Sequence, residues 1–153
     1  MRYLFVILMF YVTSLMAEEM YPAGCEPLVI NSENVVLAAN KYSLLMIHNI
    51  SSHDVWAIQQ LKADSVKPIF TGKISSGKWS TLVVNKKAVK FYCIESKPGH
   101  EQQVSCMEVL AICQWPHAKI PKKIKDISLV PEDMEILQLI AYIERQGFKV
   151  LQS

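Results

Sequence analysis

The chain has 153 residues, with 16 lysines and arginines against 14 aspartates and glutamates, and its formal charge of +2 points to no nucleic-acid or anionic-membrane partner. Hydrophobic residues make up 51% and charged residues 20%, which is typical of a folded domain and too apolar for a disordered chain. With only 5 glycines, the sequence contains neither of the common glycine-rich phosphate-binding motifs. Composition therefore assigns no reaction.

The first residues have the layout of a secretory signal peptide. Met1 and Arg2 give a positive start, residues 3–12 are an unbroken apolar run, and Ala17 is a small residue suited to cleavage. The whole apolar stretch is shorter than the roughly 20 residues that a membrane-spanning helix needs. We therefore expect residues 1–17 to be removed, the mature protein to have no membrane span, and its location to be periplasmic or secreted.

The even number of cysteines favours two disulfides in an oxidising compartment, for which three pairings exist. The four cysteines are Cys25, Cys93, Cys106 and Cys113. A polar, turn-rich stretch separates Cys93 from Cys106, and its midpoint lies beside Gly99, so a hairpin would place these cysteines opposite each other. This favours Cys93 with Cys106 and leaves Cys25 for Cys113. Cys106 with Cys113 is disfavoured, because an odd spacing within one strand puts the two on opposite faces.

Short apolar segments separated by turns predict a mainly β protein. The clearest strand is residues 42–50, which is apolar on both faces and therefore central. A turn leads from it into residues 55–61, where Trp56 and Ile58 share one face. About seven such segments at intervals near 8 to 12 residues are typical of a small antiparallel β-sandwich of the immunoglobulin or cupredoxin type. We predict this domain over residues 18–115.

The composition changes after Trp115. Residues 116–130 hold two prolines and four lysines, which predicts a basic linker. Residues 131–153 predict a helix and tail, because Pro131 suits a first helical turn and Gly147 can end a helix. The expected buried stripe of the helix is Ile136, Leu137, Ile140, Ala141 and Ile143. We predict a C-terminal helical appendage that packs on the sandwich or on a partner, and a sandwich that stays folded without residues 117–153.

One constellation offers metal chemistry as an alternative. Small copper proteins of the cupredoxin type use an upstream histidine, then cysteine, histidine and methionine on one loop. The same order of ligand types occurs here in His48, Cys93, His100 and Met107. The loop spacings are longer than usual, however, and Cys106 competes for the Cys93 thiol. The alternatives are a copper carrier, or a protein without a cofactor in which Cys93 is half of a disulfide and Met107 lies in the core.

Two other groups of polar residues give weak indications of a hydrolase site and of a nucleic-acid-binding surface. Residues 51–54 contain serine, histidine and aspartate, but adjacent residues in a turn do not converge as a hydrolase site requires. The lysines at 86–87 and within 119–125 have no interleaved aromatic residues, so we expect a solvated surface and no nucleic-acid partner.

The tryptophans and one asparagine also allow two interpretations. Trp56, Trp79 and Trp115 fit a sandwich core better than a sugar-stacking surface. Asn49, Ile50 and Ser51 match the N-glycosylation pattern, which has meaning only in a eukaryotic source.

Five short motifs between residues 77 and 115 form a recognisable pattern. They are Gly-Lys-Trp-Ser at 77–80, Val-Asn-Lys-Lys at 84–87, the run from Tyr92 to Gln102, Val-Ser-Cys at 104–106 and Cys-Gln-Trp at 113–115. The pattern resembles the enhanced-entry protein B family of intracellular bacterial pathogens, over roughly residues 44–115. The resemblance implies a small secreted or periplasmic protein, associated with entry into host cells, with no assigned enzymatic activity and no active-site residue to carry over.

These observations together predict a disulfide-stapled binding protein whose partner is a protein of the envelope or the host. Two candidate partner surfaces are the helix of residues 131–146 and the loop of residues 96–103. The candidate binding residues at the loop tip are Lys97, Pro98, Gly99, His100 and Glu101, and a disulfide at the base would hold this tip rigid. An enzyme of another type is a further alternative, which a pocket of converging polar groups would favour. The sequence leaves the oligomeric state open.

Overall fold

A computed structural model describes residues 21–30, 33–37, 43–60, 70–84, 89–123 and 129–150. The predicted signal peptide at 1–17, the lysine pair at 86–87 and the tail at 151–153 lie outside the described residues. The fold is mainly β, with two antiparallel sheets and a C-terminal helix, as the sequence predicts. Within the described part of the chain, no helix is long and apolar enough to cross a membrane.

Sheet A contains five strands in the order β1, β9, β3, β6 and β10, and every neighbouring pair is antiparallel. Its strands are β1 (Glu26–Leu28), β3 (Ser43–Asn49), β6 (Trp79–Val84), β9 (Leu110–Trp115) and β10 (Leu129–Met134). The central strand β3 is buried along almost its whole length, which confirms the prediction from its two apolar faces.

Sheet B contains β2, β7, β4 and β5 in that order, and β8 pairs with the second half of β7. Its strands are β2 (Val35–Leu37), β4 (Asp54–Gln60), β5 (Phe70–Ile74), β7 (Val89–Lys97) and β8 (His100–Val104). The long strand β7 therefore has β4 on one side and both short strands, β2 and β8, on the other.

The two sheets enclose a core built from the inward-facing alternate residues of each. Sheet A contributes Leu45, Ile47, Leu82, Val84, Leu110 and Ile112, and sheet B contributes Val35, Val55, Ala57, Ile74, Phe91 and Cys93. The short helix α1 (Cys106–Val109) closes this core through Cys106 and Val109. The disulfide between Cys93 and Cys106 thus lies between the sheets.

A second core covers the outer face of sheet A. Helix α2 (Ile136–Arg145) places Leu139 and Ile143 against this face, and neither side chain is more than 1% exposed. The sheet residues of this core are Leu44, Met46, Trp79, Val83, Cys113 and Trp115. The Cys25–Cys113 disulfide belongs to it as well, so each core contains one disulfide.

The C-terminal region differs from the sequence prediction in two ways. Residues 129–134 form strand β10, which pairs with β6 at the edge of sheet A, and the helix begins at Ile136 rather than at Pro131. Proline is accepted in this strand because it lies at a sheet edge, where the register also shifts between Val130 and Met134. The predicted helix end is confirmed, since Gly147 adopts a positive φ of 93° directly after the helix.

The predicted buried stripe of the helix is partly wrong. Leu137 is 77% exposed and Ala141 is exposed, whereas Leu139, which the prediction omitted, is fully buried. The observed face consists of Ile136, Leu139, Ile140 and Ile143, which follow the i, i+3, i+4, i+7 spacing of one side of a helix, and this spacing excludes Leu137 and Ala141.

Candidate binding surfaces

The predicted binding loop is the tip of the β7–β8 hairpin. Pro98 and Gly99 form a two-residue turn between the paired residues Lys97 and His100, and Gly99 has φ of 72°. Proline favours the first central position of a tight turn and glycine accepts the positive φ of the second. The tip is exposed, as are all residues of β8 except the partly buried Val104. The hairpin therefore presents a rigid polar arm to solvent.

The hairpin register differs by two residues from the register in which the two cysteines would lie opposite each other. Cys93 lies opposite Val104, not Cys106. Cys106 begins helix α1, and its Cα still lies 5.3 Å from that of Cys93. The Cys93–Cys106 and Cys25–Cys113 bonds are the pairing that the sequence favours. Two disulfides agree with an oxidising environment.

An ionic cluster stands at the base of the hairpin. The Glu95 carboxylate, only 9% exposed as a residue, lies 3.1 Å from Lys97 Nζ and 3.2 Å from His53 Nδ1. Burial acts to raise the pKa of the Glu95 carboxyl, but the hydrogen bonds and charges of Lys97 and His53 outweigh burial and hold that pKa below its ordinary value of 4.5. The cluster ties the hairpin to the turn between β3 and β4.

Glu95 should make the stability of the protein depend on pH in acid. Because its pKa is lower in the folded chain, its contribution is fully present above the unfolded value near 4.5 and is lost as the pH falls through the folded value. Glu95→Gln should therefore lower the melting temperature at neutral pH and flatten its decline below about pH 4.5. Melting temperatures between neutral and acid pH test this, with the exposed Glu101→Gln as control. A decline equally steep in Glu95→Gln and wild type would contradict the assignment.

The serine, histidine and aspartate of residues 51–54 do not form a catalytic relay. The Nδ1 of His53 contacts both Glu95 Oε1 at 3.2 Å and Ser52 Oγ at 3.1 Å. A carboxylate only accepts hydrogen bonds, so Nδ1 carries the proton and Ser52 accepts from it. A base in a serine hydrolase instead uses its second ring nitrogen for the nucleophile. These residues position the turn and the Glu95 cluster.

Asn49 organises the same turn from inside the protein. Its Nδ2 donates to the carbonyl oxygens of His53 at 2.8 Å and Ile74 at 2.9 Å, and its Oδ1 accepts from the backbone N–H of Ser51 at 2.9 Å. The residue is 0% exposed. Asn49 is therefore inaccessible to a glycosylating enzyme in the folded protein, and its match to the glycosylation pattern reflects a structural role.

The four candidate copper ligands do not converge. The sulfur of Cys93 is bonded to Cys106 in the core between the sheets, and Met107 is 53% exposed. His100 lies at the hairpin tip. His48 lies on the other side of sheet A, stacked on Trp79 with ring centroids 4.3 Å apart. The copper alternative is wrong because its thiolate is consumed by a disulfide and its histidines face different parts of the surface.

His48 has a structural explanation in its surroundings. Its Nε2 lies 3.2 Å from the Gly77 carbonyl oxygen. Burial lowers the pKa of His48, against the opposing effects of that carbonyl and the Glu135 charge. Lys78, next to Gly77, forms an ion pair with Glu135 at the start of helix α2.

The tryptophans divide between core and surface. Trp79 and Trp115 are 6% and 3% exposed in the core beneath helix α2, as the sequence analysis favours. Trp56 instead lies on the outer face of sheet B and is partly buried. The prediction that all three tryptophans fill a core is therefore wrong for Trp56.

The outer face of sheet B carries a continuous apolar group, which we call the sheet B patch. Its residues are Val36, Trp56, Ile58, Tyr92 and Ile94, on the neighbouring strands β2, β4 and β7. In the register, Trp56 lies opposite Ile94 and Ile58 lies opposite Tyr92. The four residues of β4 and β7 are partly buried, Val36 is 60% exposed, and none belongs to either core.

The sheet B patch was not predicted from the sequence, although one feature of the sequence indicates it. Trp56 and Ile58 share a face of a strand whose other face already supplies the core residues Val55 and Ala57. A half-buried strand of an antiparallel sheet normally has polar residues on its outer face. An apolar pair on each face therefore indicates either a covering layer or a binding surface.

The helix does not provide the predicted partner surface. Its most apolar face, through Leu139 and Ile143, already covers sheet A, and the large apolar side chain it leaves exposed is Leu137. The hairpin, the second surface predicted from the sequence, is exposed at its tip and stays a prediction as a partner surface.

No family model, curated protein or solved structure matches the chain. The identification of candidate surfaces therefore depends on their geometry.

Proposed function

We propose that the protein is a non-catalytic binding protein of the bacterial periplasm or exterior, and that it binds another protein through the sheet B patch. The observation that carries this proposal is the contrast between the two sheets. The outer face of sheet A is covered by helix α2, whereas no described element forms a comparable layer over Trp56, Ile58 and Tyr92.

The composition of the patch fits a protein interface. Tryptophan and tyrosine are the residues that most often supply binding energy at the centre of an interface, surrounded by a polar rim. Here Trp56 and Tyr92 lie diagonally on adjacent strands, and Lys73, Lys90 and Gln103 follow on the same face towards its margins. Contiguous apolar groups that stay partly accessible on the outer face of a folded domain can mark interaction sites.

The location and the biological role remain part of the same proposal. Two disulfides support an oxidising compartment, and the apolar N-terminal sequence supports export. The role in entry into host cells, and a partner in the envelope or host, rest on the resemblance to the enhanced-entry protein B family.

Site-specific photo-crosslinking in the exporting bacterium tests the proposal. A photoreactive residue replacing Ile94, inside the patch, should give an adduct with another protein, whereas one replacing the exposed Glu144 of helix α2 should give none. Trp56→Ala should reduce the adduct at least about tenfold, because truncating an aromatic anchor removes most of its binding energy. Val29→Ala, at a residue 80% exposed and outside the patch, should leave the adduct unchanged.

Three results would contradict this function. They are equal adducts from positions 94 and 144, an adduct that Trp56→Ala does not weaken, and an adduct formed only between two copies of the chain. Circular dichroism and thiol counting on each variant establish that its fold and disulfides are intact.

A further inference from the structure

The edges of the two sheets are protected to different degrees. An unpaired edge strand invites pairing with another chain, and proteins prevent this with short strands, proline, lysine, bulges or a covering element. In sheet A, β1 has three residues including Pro27, and β10 contains Pro131 and an irregular register. In sheet B, β5 contacts β10 across the sandwich and β2 has three residues.

Strand β8 carries one acidic residue, Glu101, but within the described residues it has none of the protecting features named above. It contains five residues, with no proline and no lysine, and its register with β7 is regular from Cys93–Val104 to Lys97–His100. It pairs with β7 alone among the described strands, and four of its five residues are exposed. Among the described strands, none pairs with its second edge.

The edge of β8 is held in the conformation that pairing requires. The Cys93–Cys106 disulfide fixes one end of the hairpin and the Pro98-Gly99 turn fixes the other. The Glu95 cluster fixes the strand that supports β8. Association through a preorganised strand loses less conformational entropy than association through a flexible one.

The edge of β8 that faces away from β7 presents a defined set of backbone N–H and C=O groups. A two-residue turn is closed by a hydrogen-bonded pair, here Lys97 with His100, and hydrogen-bonded pairs then alternate along the ladder. The N–H and C=O groups of Glu101 and Gln103 consequently point away from β7.

The sequence of β8 is compatible with its own antiparallel copy. With a two-fold axis at Gln102, each Glu101 lies opposite a Gln103 and each His100 lies opposite a Val104. No charged residue lies opposite a like charge, which would destabilise the pair. The outward-pointing N–H and C=O groups of Glu101 then form hydrogen bonds with the C=O and N–H groups of Gln103 in the other copy. The two Gln102 side chains meet at the axis.

We propose that β8 is a homodimerisation edge, which pairs antiparallel with β8 of a second copy around Gln102 and joins the two B sheets into one continuous sheet. The interface is isologous, so it closes with two copies and does not propagate. This inference is independent of the proposed function, because the dimer uses the edge of sheet B and leaves the sheet B patch on its face.

Charged residues introduced at the two-fold axis, first alike and then opposite, test the dimer. The full chain, exported so that both disulfides form, is studied by analytical ultracentrifugation over a wide range of concentration. The wild type should reach twice the mass of one chain. Gln102→Lys and Gln102→Glu should each weaken dimerisation at least about tenfold, because like charges then face each other across the axis. An equal mixture of the two variants should regain the dimer.

The mixture separates the proposed interface from indirect effects. A variant that dissociates because it is misfolded does not recover when mixed with a misfolded partner. Gln138→Lys, in helix α2, serves as the control for added charge and should leave the wild-type mass unchanged. A wild type that is monomeric at every concentration overturns the proposal. A dimer unaffected by Gln102→Lys, or one that the mixture fails to restore, overturns it as well.

Discussion

Replacing Leu139 by alanine is expected to lower the free energy of unfolding by about 3 kcal/mol. Leu139 is 0% exposed at the centre of the core between helix α2 and sheet A, where it belongs to the same cluster as Trp79 and Trp115. Truncation of a buried leucine removes its transfer free energy and leaves a cavity in a packed core, which relaxes only in part to fill it. Urea denaturation followed by tryptophan fluorescence measures the loss.

Leu137→Ala provides a matched control on the same helix. Leu137 is 77% exposed, so the same chemical change should alter the free energy of unfolding by less than about 0.5 kcal/mol. Equal losses in the two variants, or a loss below about 1 kcal/mol for Leu139→Ala, would show that the helix is not part of the folded core.

The contacts of β10 and helix α2 with sheet A change the expected behaviour of a chain that ends at residue 116. The sequence analysis predicts that the sandwich folds without residues 117–153. The structure shows that this deletion removes β10 from its pairing with β6 and uncovers the apolar outer face of sheet A. We now expect the shortened protein to aggregate or to be recovered unfolded.

The sequence predicts the sandwich well because its signals are local. Strands β3 and β4 follow from two short apolar runs and the polar turn between them, and the hairpin follows from Pro98 and Gly99. The disulfide pairing also follows from the sequence. Cys93 lies opposite Val104, and the chain continues into the short helix α1, whose first residue, Cys106, is close enough to bond to Cys93. A disulfide accepts a range of Cα separations, so an error of two residues in register does not change the pairing.

The parts that sequence misplaces depend on tertiary context. Pro131 and two acidic residues argue against a strand at 129–134, yet an edge position with an irregular register accepts them. The face of the helix that meets sheet A, through Leu139 and Ile143, is decided by packing against that sheet. Trp56 resembles a core residue by type, and only the absence of a described layer over sheet B identifies its face as a surface.

The second prediction with a large effect concerns the two disulfides. In the chain-entropy model a bond stabilises the fold by restricting the unfolded chain, and it does so more for a longer loop. The Cys25–Cys113 bond spans 88 residues and the Cys93–Cys106 bond spans 13. Replacing both cysteines by alanine should therefore cost about 4.5 kcal/mol for the first bond and about 3 kcal/mol for the second.

Urea denaturation of the two double variants, without reductant, measures these losses. Each pair is buried, with no cysteine more than 6% exposed, so the lost packing is similar and the difference reports mainly the loop length. A larger loss for the Cys93–Cys106 pair would contradict this account. It would assign the main stabilising role to the hairpin base, where the bond holds β7 against helix α1.

The sum of the two contributions links the fold to its compartment. Together they approach the whole free energy of unfolding of a small domain, which is about 5–15 kcal/mol. A chain made without residues 1–17 in the reducing cytoplasm should therefore remain largely unfolded, and oxidation after purification should restore the fold. Amide hydrogen exchange on the reduced and oxidised protein distinguishes the two states, since only the oxidised form should protect strand β3. Full protection of β3 in the reduced protein would mean that the two cores hold without their disulfides, and the fold would then give no reason for export.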